Sequence, residues 1–367
     1  MANAHTVISL TAFERFLLGS PDPIIDKFFS RWTIDQILSL RRVNSNLLLA
    51  VEGYSARAWS IDTTFDRWFY HVQSFLEVLD ACEGIVAGSE AQQHFARHEF
   101  RGKDLDIYVP CHGLLRMGRW LKSEGFRFQT SGGKHILFDA AAVMFSAATV
   151  GNHDLGGRDV YGSPLPNAFS SFNFVRFPTD NLRMLDMDGC RVQLIAVRGD
   201  PIPFMINNFH STGVMNYITG KYAVSLFPRH TFVERQMFIC QDMTRNAHAN
   251  RSWIAKYRGR GFTVIGATDE RVQSAELRAW DRTVGDRFTW VLPHARSVIP
   301  GKLTLNIPRV GFEVLPAQSG VAASGAALRL GPKFIYSSMA LIATGDDFGH
   351  IGSTEIVAAF AEYAVDT

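Results

Sequence analysis

The sequence predicts an α+β protein, and regional patterns along the chain support this class. Apolar residues recur at helical spacing through residues 1–83. Residues 84–200 instead alternate short apolar strands with short helices, and residues 201–280 read as helical again. The remaining segment, 281–367, has strand-like patches at Phe288–Leu292 and Phe334–Tyr336. We therefore expect a helical opening, a mixed core, a helical region and a strand-containing tail.

Composition excludes several classes of protein. The 367 residues are 47% hydrophobic and 12% aromatic, which is enough to bury a substantial core and excludes wholesale disorder. The net charge of +2 argues against a general nucleic-acid coat and permits a small anionic ligand. The four cysteines lie far apart without a C-x-x-C pair, so neither a disulfide framework nor a zinc ribbon is predicted.

No membrane segment or secretory signal is predicted. Glu14 and Arg15 precede any long apolar run. The longest apolar stretch, Ile136 to Val150, contains Asp139 and falls short of the roughly 20 residues that a bilayer span needs. We expect a soluble protein without a membrane partner, located in the cytoplasm or the nucleus.

Helix signals are clear near the N-terminus. Asp22 before Pro23 is typical of a helix start, and Thr33 with Gln36 forms a capping box. The apolar stripe that follows comprises Ile34, Ile37, Leu38, Val43, Leu47, Leu48 and Val51. A second periodic run, Phe65–Cys82, predicts a helix with a complementary apolar face. We expect this second helix to cover the stripe.

The core region alternates strands and helices. Turn signals separate its apolar runs, including Asp188-Gly189, which is typical of a hairpin. One helix is predicted at about 112–123, and the segment 130–170, rich in glycine and small residues, is interpreted as an insertion. The predicted strands are 85–87, 105–109, 126–128, 171–177, 183–186 and 190–197.

Two short motifs in the core carry the candidate chemistry. The strand Ile85–Ala87 runs into Gly88-Ser89, a turn at a helix start that offers backbone N–H groups to an anion. A second strand then carries Asp104 and Asp106. Because residues two apart on a strand point the same way, both carboxylates can face one divalent cation. A metal site beside a phosphate-binding turn is the combination that nucleotidyl transfer requires.

This pattern resembles the polymerase-beta-like nucleotidyltransferase superfamily. The resemblance implies a small mixed sheet flanked by helices and a Mg²⁺ cofactor. It implies that Asp104 and Asp106 hold the metal and are catalytic. It also implies that Gly88 and Ser89 contact the triphosphate, with Lys103 neutralising phosphate charge. Three spacer residues, Arg97, His98 and Arg101, add positive potential nearby.

The chain departs from this family at one position. The family carries a third carboxylate on a later strand, and the best match here is Val192-Gln193-Leu194. Gln193 cannot ionise, so it cannot act as a base. Loss of a positioned base typically costs about 10²–10⁴ in rate. The substitution leaves nucleotide binding possible while removing one catalytic group.

A second resemblance concerns the N-terminus. The segment Asp35–Asn44, with Trp59 further on, looks like an F-box, and that resemblance implies a protein partner at residues 20–60. The combination is similar to uncharacterised basidiomycete fungal proteins, which share two later stretches, Phe209–Tyr217 and Lys256–Phe262. That resemblance supports the predicted fold and a fungal source, but it implies no particular reaction.

The two shared stretches carry further candidate residues. The first is predicted as a helix beside the site, where His210, Thr212 and Asn216 either face a nucleotide or belong to a helix cap and core packing. In the second, Lys256 and its basic neighbours end a helix. They either complement the helix dipole or contact phosphate.

Two functions follow from these patterns. The leading one is Mg²⁺-dependent transfer of a nucleoside monophosphate from a nucleoside triphosphate to an unidentified hydroxyl acceptor. The alternative is a non-catalytic binding or adaptor protein that keeps the fold. Gln193 favours the alternative, whereas Gly88, Asp104 and Asp106 favour the enzyme.

Overall fold

The structure is a computed structural model with an α+β architecture, in which a mixed sheet is flanked by helices. The α+β prediction is thereby confirmed. The residues that the structure describes are 10–97, 104–130, 136–150, 169–176, 190–241, 243–244, 247–266, 277, 281–294, 302–316 and 326–344.

Six helices form the N-terminal region. Two of them begin with a capping box, Thr11 with Glu14 and Thr33 with Gln36, and the second was predicted. These reciprocal bonds satisfy N–H groups that a helix start leaves without partners. The helices are α1 Ala12–Gly19, α2 Asp22–Phe29, α3 Ile34–Leu40, α4 Ser45–Ala58, α5 Ile61–Phe65 and α6 Val72–Ala81.

The apolar stripe on α3 is covered from within the chain. Ile34 and Leu38 join the cluster that contains Phe65, while Ile37, which is fully buried, packs with residues of α1, α2 and α4. The expected internal burial is confirmed for these three residues, so this face is not available to a partner. Val43 is the exception, with 64% of its surface exposed.

The second predicted helix, Phe65–Cys82, is interrupted. Helix α5 ends at Phe65, and α6 begins only at Val72. Trp68 and Phe69 lie in the connecting turn and are buried. Their aromatic side chains fill the core without continuing the helix, which explains why periodicity alone did not reveal the break.

An eight-stranded sheet forms the centre of the molecule, in the order β11-β7-β6-β1-β2-β5-β4-β3. Strands β2 and β5 pair in parallel, and the other neighbours in this sheet pair antiparallel. The strands are β1 Ile85–Ala87, β2 Asp104–Pro110, β3 Arg127–Gln129, β4 Phe169–Arg176, β5 Cys190–Val197, β6 Asn216–Ile218, β7 Tyr222–Ser225 and β11 Trp290–Pro293.

The sheet crosses the predicted boundaries of the core at 84–200. It takes β6 and β7 from the region 201–280, which was predicted as helical, and β11 from the tail. The region does contain two helices, α10 Pro201–Asn208 and α11 Ala247–Gly259, but it also holds the parallel pair β8 Gln236–Phe238 and β9 Thr263–Ile265. The prediction of a helical region was therefore wrong in part.

Other predicted elements have mixed outcomes. The helix at 112–123 is α8 Cys111–Ser123, and α7 Ser89–Ala96 follows the Gly-Ser turn. The predicted insertion 130–170 contains a helix, α9 Phe138–Val150. The strand predicted at 183–186 lies outside the described residues.

The two faces of the sheet bury different partners. On one face, Leu105, Ile107 and Val109 of β2 pack against α8 in a core that also takes in α6 and α9. On the other face, β1 and β6 pack against α10 and against the tail. The tail is a three-stranded antiparallel sheet of β10 Asp281–Thr283, β12 Lys302–Pro316 and β13 Leu328–Thr344. The predicted strand-containing tail is confirmed.

Among the described residues, no helix combines the length and the apolar character that crossing a membrane requires.

Candidate functional site

The Gly-Ser turn lies directly beside the Asp-x-Asp strand. Gly88 has φ +75° and ψ −140°, a conformation that favours glycine, and α7 begins at the next residue, Ser89. Strand β1 pairs with β2 so that Ala87 lies opposite Asp106. A Cβ atom built on Gly88 would lie only 2.9 Å from Asp106 Oδ2. The turn and the acidic strand therefore form one site.

Asp104 and Asp106 share one face of β2, as predicted from their spacing. The intervening Leu105 is buried in the opposite core. Asp104 is exposed and lies 3.5 Å from Arg191 Nε on the neighbouring strand, while Asp106 is partly buried. One carboxylate thus has a solvated ion pair, and the other faces the protein.

Burial, together with the smaller effect of the negative charge of Asp104, raises the pKa of Asp106 to about 6, against the opposing positive charge of Lys256. A partly buried carboxylate next to a second carboxylate cannot ionise without cost. Asp106 therefore gains from any additional positive charge that enters the site.

Gln193 occupies the sheet position beside Asp106. The parallel pairing of β2 with β5 sets Asp106 opposite Gln193, and the next strand sets Asn173 opposite Gln193. The side chain is half-buried, and its Nε2 donates to Ser171 Oγ at 2.9 Å. At the sheet positions next to Asp106, where the family resemblance implies a third carboxylate, this chain has the amides of Gln193 and Asn173.

Asn216 lies in a strand rather than in the predicted helix. The segment 209–217 forms a short 3-10 turn, Thr212–Val214, and then enters β6. The Asn216 side chain is fully buried, and its Nδ2 donates to the carbonyl oxygen of Gly213 at 2.9 Å. Gln92 of α7 donates to the same oxygen. In this structure Asn216 supports the segment behind α7, and the predicted nucleotide contact requires it to become exposed.

Of the predicted basic residues before Asp104, Arg97 is the one that the structure describes. Arg97 points away from the site and donates to the carbonyl oxygens of Phe29 and Trp32 and to the hydroxyl of Tyr54. Its role is to bind the N-terminal helices to the end of α7. Lys103, His98 and Arg101 lie outside the described residues.

Several residues of the site were not predicted. Arg191 could have been found from its position two residues before Gln193 on one strand face. Tyr108 lies two residues after Asp106, and its ring lies 5.7 Å from that of Phe209. Lys256 was identified as a helix-end cation, but nothing in the local sequence predicts its influence on Asp104 and Asp106.

In comparisons with known proteins, no family model, no curated protein and no solved structure matched the chain. Within the described part of the chain, no three or more His, Cys, Asp and Glu side chains form a cluster able to hold a metal ion. The features of this chain that bear on its function are therefore the Gly88-Ser89 turn and the two aspartates.

Proposed function

We propose that this chain binds a nucleoside triphosphate together with Mg²⁺ at the Gly-Ser turn and transfers its nucleoside monophosphate to a hydroxyl acceptor. The observation that supports this proposal best is the contact between Gly88 and Asp106, because it sets a helix N-terminus against a carboxylate pair. Phosphate oxygens suit the first feature, and a hard divalent cation suits the second.

The donor set fits Mg²⁺. Asp104 and Asp106 supply carboxylate oxygens from one strand face, and the raised pKa of Asp106 reflects burial and the negative charge of its neighbour. Two protein carboxylates are a common set for Mg²⁺, which completes its six oxygen ligands with water and substrate phosphate. When bound, Mg²⁺ would supply charge neutralisation and alignment of the phosphate groups.

The protein groups have separate tasks in this proposal. The first N–H groups of α7, at Ser89 and beyond, bind phosphate oxygens, because a helix start leaves them without backbone acceptors. Gly88 has no Cβ, which lets the backbone approach Asp106 closely. Arg191 compensates Asp104 and is available to bind phosphate.

A second candidate function is binding without transfer, and Gln193 favours it. An amide opposite Asp106 can orient an acceptor hydroxyl but cannot remove its proton. The adaptor role predicted for residues 20–60 is not supported at the buried stripe of α3, since Ile37 and Leu38 lie inside the chain. A cytoplasmic or nuclear location stays a prediction.

Calorimetry with non-hydrolysable nucleoside triphosphate analogues tests the binding step. Mg²⁺ should tighten binding to the parent protein by about tenfold or more, which is ~1.4 kcal/mol. The double variant Asp104→Asn/Asp106→Asn should lose that dependence on Mg²⁺. The matched control Glu77→Gln/Glu83→Gln removes two exposed carboxylates elsewhere and should retain it. Equal affinity with and without Mg²⁺ in the parent would refute the proposed site.

Radiolabelled triphosphates separate transfer from binding. The protein is incubated with Mg²⁺ and triphosphates labelled at either the α or the γ phosphorus. Self-labelling and labelling of RNA 3′ ends are then measured. Label from the α position alone indicates nucleotidyl transfer. Binding by calorimetry without any transferred label favours the alternative.

A further inference from the structure

Behind the Gly-Ser turn, helix α7 and strand β6 are joined through one carbonyl oxygen. Gln92 of α7 donates from Nε2 to Gly213 O at 2.9 Å, and Asn216 of β6 donates from Nδ2 to the same oxygen at 2.9 Å. Both side chains are fully buried. A carbonyl oxygen has two lone pairs, so these two bonds use its full accepting capacity. The two amide groups therefore lie close together in the interior.

A third buried polar side chain, Ser225, lies next to Asn216. Strands β6 and β7 pair so that these two residues are opposite each other. Leu226 N donates to Met215 O at the neighbouring position, so the alternation of an antiparallel ladder makes Asn216 and Ser225 a non-hydrogen-bonded pair. Side chains of such pairs lie closest together, with Cα atoms about 4.5 Å apart. Ser225, which is also fully buried, therefore completes a cluster with Gln92 and Asn216.

Each side chain of this cluster keeps one polar atom without a hydrogen-bond partner among the described residues. These atoms are Gln92 Oε1, Asn216 Oδ1 and Ser225 Oγ. Buried polar atoms of folded proteins nearly always have a partner, which is either another protein group or an ordered water. Three unpaired atoms on neighbouring side chains therefore indicate one shared partner.

The hydrogen-bonding needs of the three atoms match one water molecule. The two amide oxygens can only accept, whereas the serine hydroxyl can donate. Water donates two hydrogen bonds and accepts at its own oxygen, and internal waters typically make about three such bonds. Among the described residues, no hydrogen bond or ion pair joins a charged side chain to Gln92, Asn216 or Ser225. A cation at this place would leave the hydroxyl proton of Ser225 without an acceptor.

We propose that a water molecule bound by Gln92 Oε1, Asn216 Oδ1 and Ser225 Oγ is a permanent part of the fold and links α7 to β6 and β7. Helix α7 begins at Ser89, directly after the turn at Gly88. The water therefore helps to position the helix start that this turn creates. The inference is independent of the proposed function, because it holds whether or not the turn binds a nucleotide.

A double-mutant cycle on the full chain tests the link between α7 and β7. Among the described residues, no hydrogen bond joins Gln92 directly to Ser225, so energetic coupling between them reports the water that bridges them. The parent, Gln92→Met, Ser225→Ala and the double variant are unfolded with urea. Loss of the Gln92 bond to Gly213 occurs in both arms of the cycle and cancels. The unfolding equilibrium constant of the double variant should differ from the product of the single effects by about fivefold or more.

The control cycle replaces Ser225→Ala with Tyr217→Phe. Tyr217 is fully buried, and its hydroxyl also has no partner among the described residues. It follows Asn216 on β6, so its side chain points to the opposite face of the sheet, where it packs with Met205. The effects of Gln92→Met and Tyr217→Phe should therefore multiply. Circular dichroism confirms that each variant is folded.

A crystal structure of the parent protein locates the water directly and decides the question even if a variant fails to fold. One water oxygen should lie about 2.7–3.1 Å from Gln92 Oε1, Asn216 Oδ1 and Ser225 Oγ. A direct hydrogen bond between Ser225 and Asn216, or a cation in the place of the water, overturns the proposal. Multiplying effects of Gln92→Met and Ser225→Ala overturn it as well.

Discussion

Gly88 and Asp106 approach so closely that residue 88 has no room for a side chain. A Cβ atom there would lie 2.9 Å from Asp106 Oδ2. The backbone of Gly88 also has φ +75° with ψ −140°, which L-residues with a side chain rarely adopt. The same glycine therefore permits the turn into α7 and the close approach of the carboxylate.

Gly88→Ala should destabilise the protein and disturb the site together. Backbone strain of this kind costs about 1–3 kcal/mol, and the Asp106 carboxylate must also shift. Urea unfolding measures the loss, and Mg²⁺-dependent nucleotide binding should weaken in the same variant. Gly53→Ala is the control, because residue 53 lies inside α4 with ample space for a Cβ. It should be stabilised by about 0.5–1 kcal/mol. Equal stability of the two variants would contradict the argument.

The features of the site that the sequence predicts correctly are those formed by residues close together in the chain. Strand, turn and helix start are adjacent in the chain around Gly88, and the alternation of Leu105, Ile107 and Val109 with polar residues marks β2 as a strand with two different faces. Its parallel neighbour β5 shows the same alternation around Gln193. Short-range patterns of this kind are sufficient to predict the local secondary structure.

The other features of the site depend on contacts between residues that are distant in the sequence. Strands β6 and β7 are buried on both faces, so no alternation of apolar and polar residues marks them as strands. The sequence therefore predicts a helical region at 201–280 where the structure also has strands. Asn216 lies in β6, where the sequence predicts a helix. Helix α11 takes its place through the stack of His210 on Trp253, a contact between distant parts of the sequence that no local pattern encodes.

Gln193→Glu should convert the amide row beside Asp106 into a stronger metal site. The third carboxylate adds repulsion without metal, so the metal-free variant should melt at a lower temperature than the parent. Mg²⁺ should then raise the melting temperature more in the variant, because ligand that binds only the folded state stabilises it. The hydroxyl of Ser171, which now accepts from Gln193, can donate to the new carboxylate.

Transfer activity gives the second measurement on this variant. Supplying a positioned base should raise nucleotidyl transfer by up to about 10²-fold. Gln129→Glu, at an exposed position of β3, introduces the same charge change away from the site and serves as the control. If Mg²⁺ stabilises both variants by the same amount, Gln193 does not belong to the metal site.

Arg97→Met should loosen the N-terminal helices from the core. The Arg97 guanidinium donates to Trp32 O at 3.0 Å, to Phe29 O at 3.3 Å and to Tyr54 Oη at 2.5 Å. Methionine removes all three hydrogen bonds, although Phe29 O keeps the N–H of Trp32 as a donor at 3.0 Å. We expect a loss of about 2–4 kcal/mol in the free energy of unfolding. Tryptophan fluorescence during denaturation reports the change. Arg116→Met, at an exposed position of α8, should have little effect.

His94 should make the folded protein sensitive to acid. Its ring is buried in α7, and Nδ1 lies 2.7 Å from Thr64 Oγ1. The Thr64 hydroxyl donates to the carbonyl of Ser60, so its oxygen accepts from the histidine N–H. Burial, together with the smaller effect of His294, lowers the pKa of His94 to about 3. The ring therefore stays neutral in the folded state at pH values where the unfolded chain is protonated.

The direction of the pH dependence follows from this lowered pKa. The stabilisation by His94 is complete above the unfolded pKa of about 6.5 and is lost as pH falls toward the folded value. Between pH 7.5 and 5 the loss should be about 2 kcal/mol from this residue. His94→Gln should reduce the change in the free energy of unfolding between pH 7.5 and 5 by that amount, whatever its effect at pH 7.5. His112→Gln replaces an exposed histidine and should leave the slope as in the parent. Urea denaturation at several pH values measures all three proteins, and identical slopes in the parent and His94→Gln would show that His94 is protonated equally in both states.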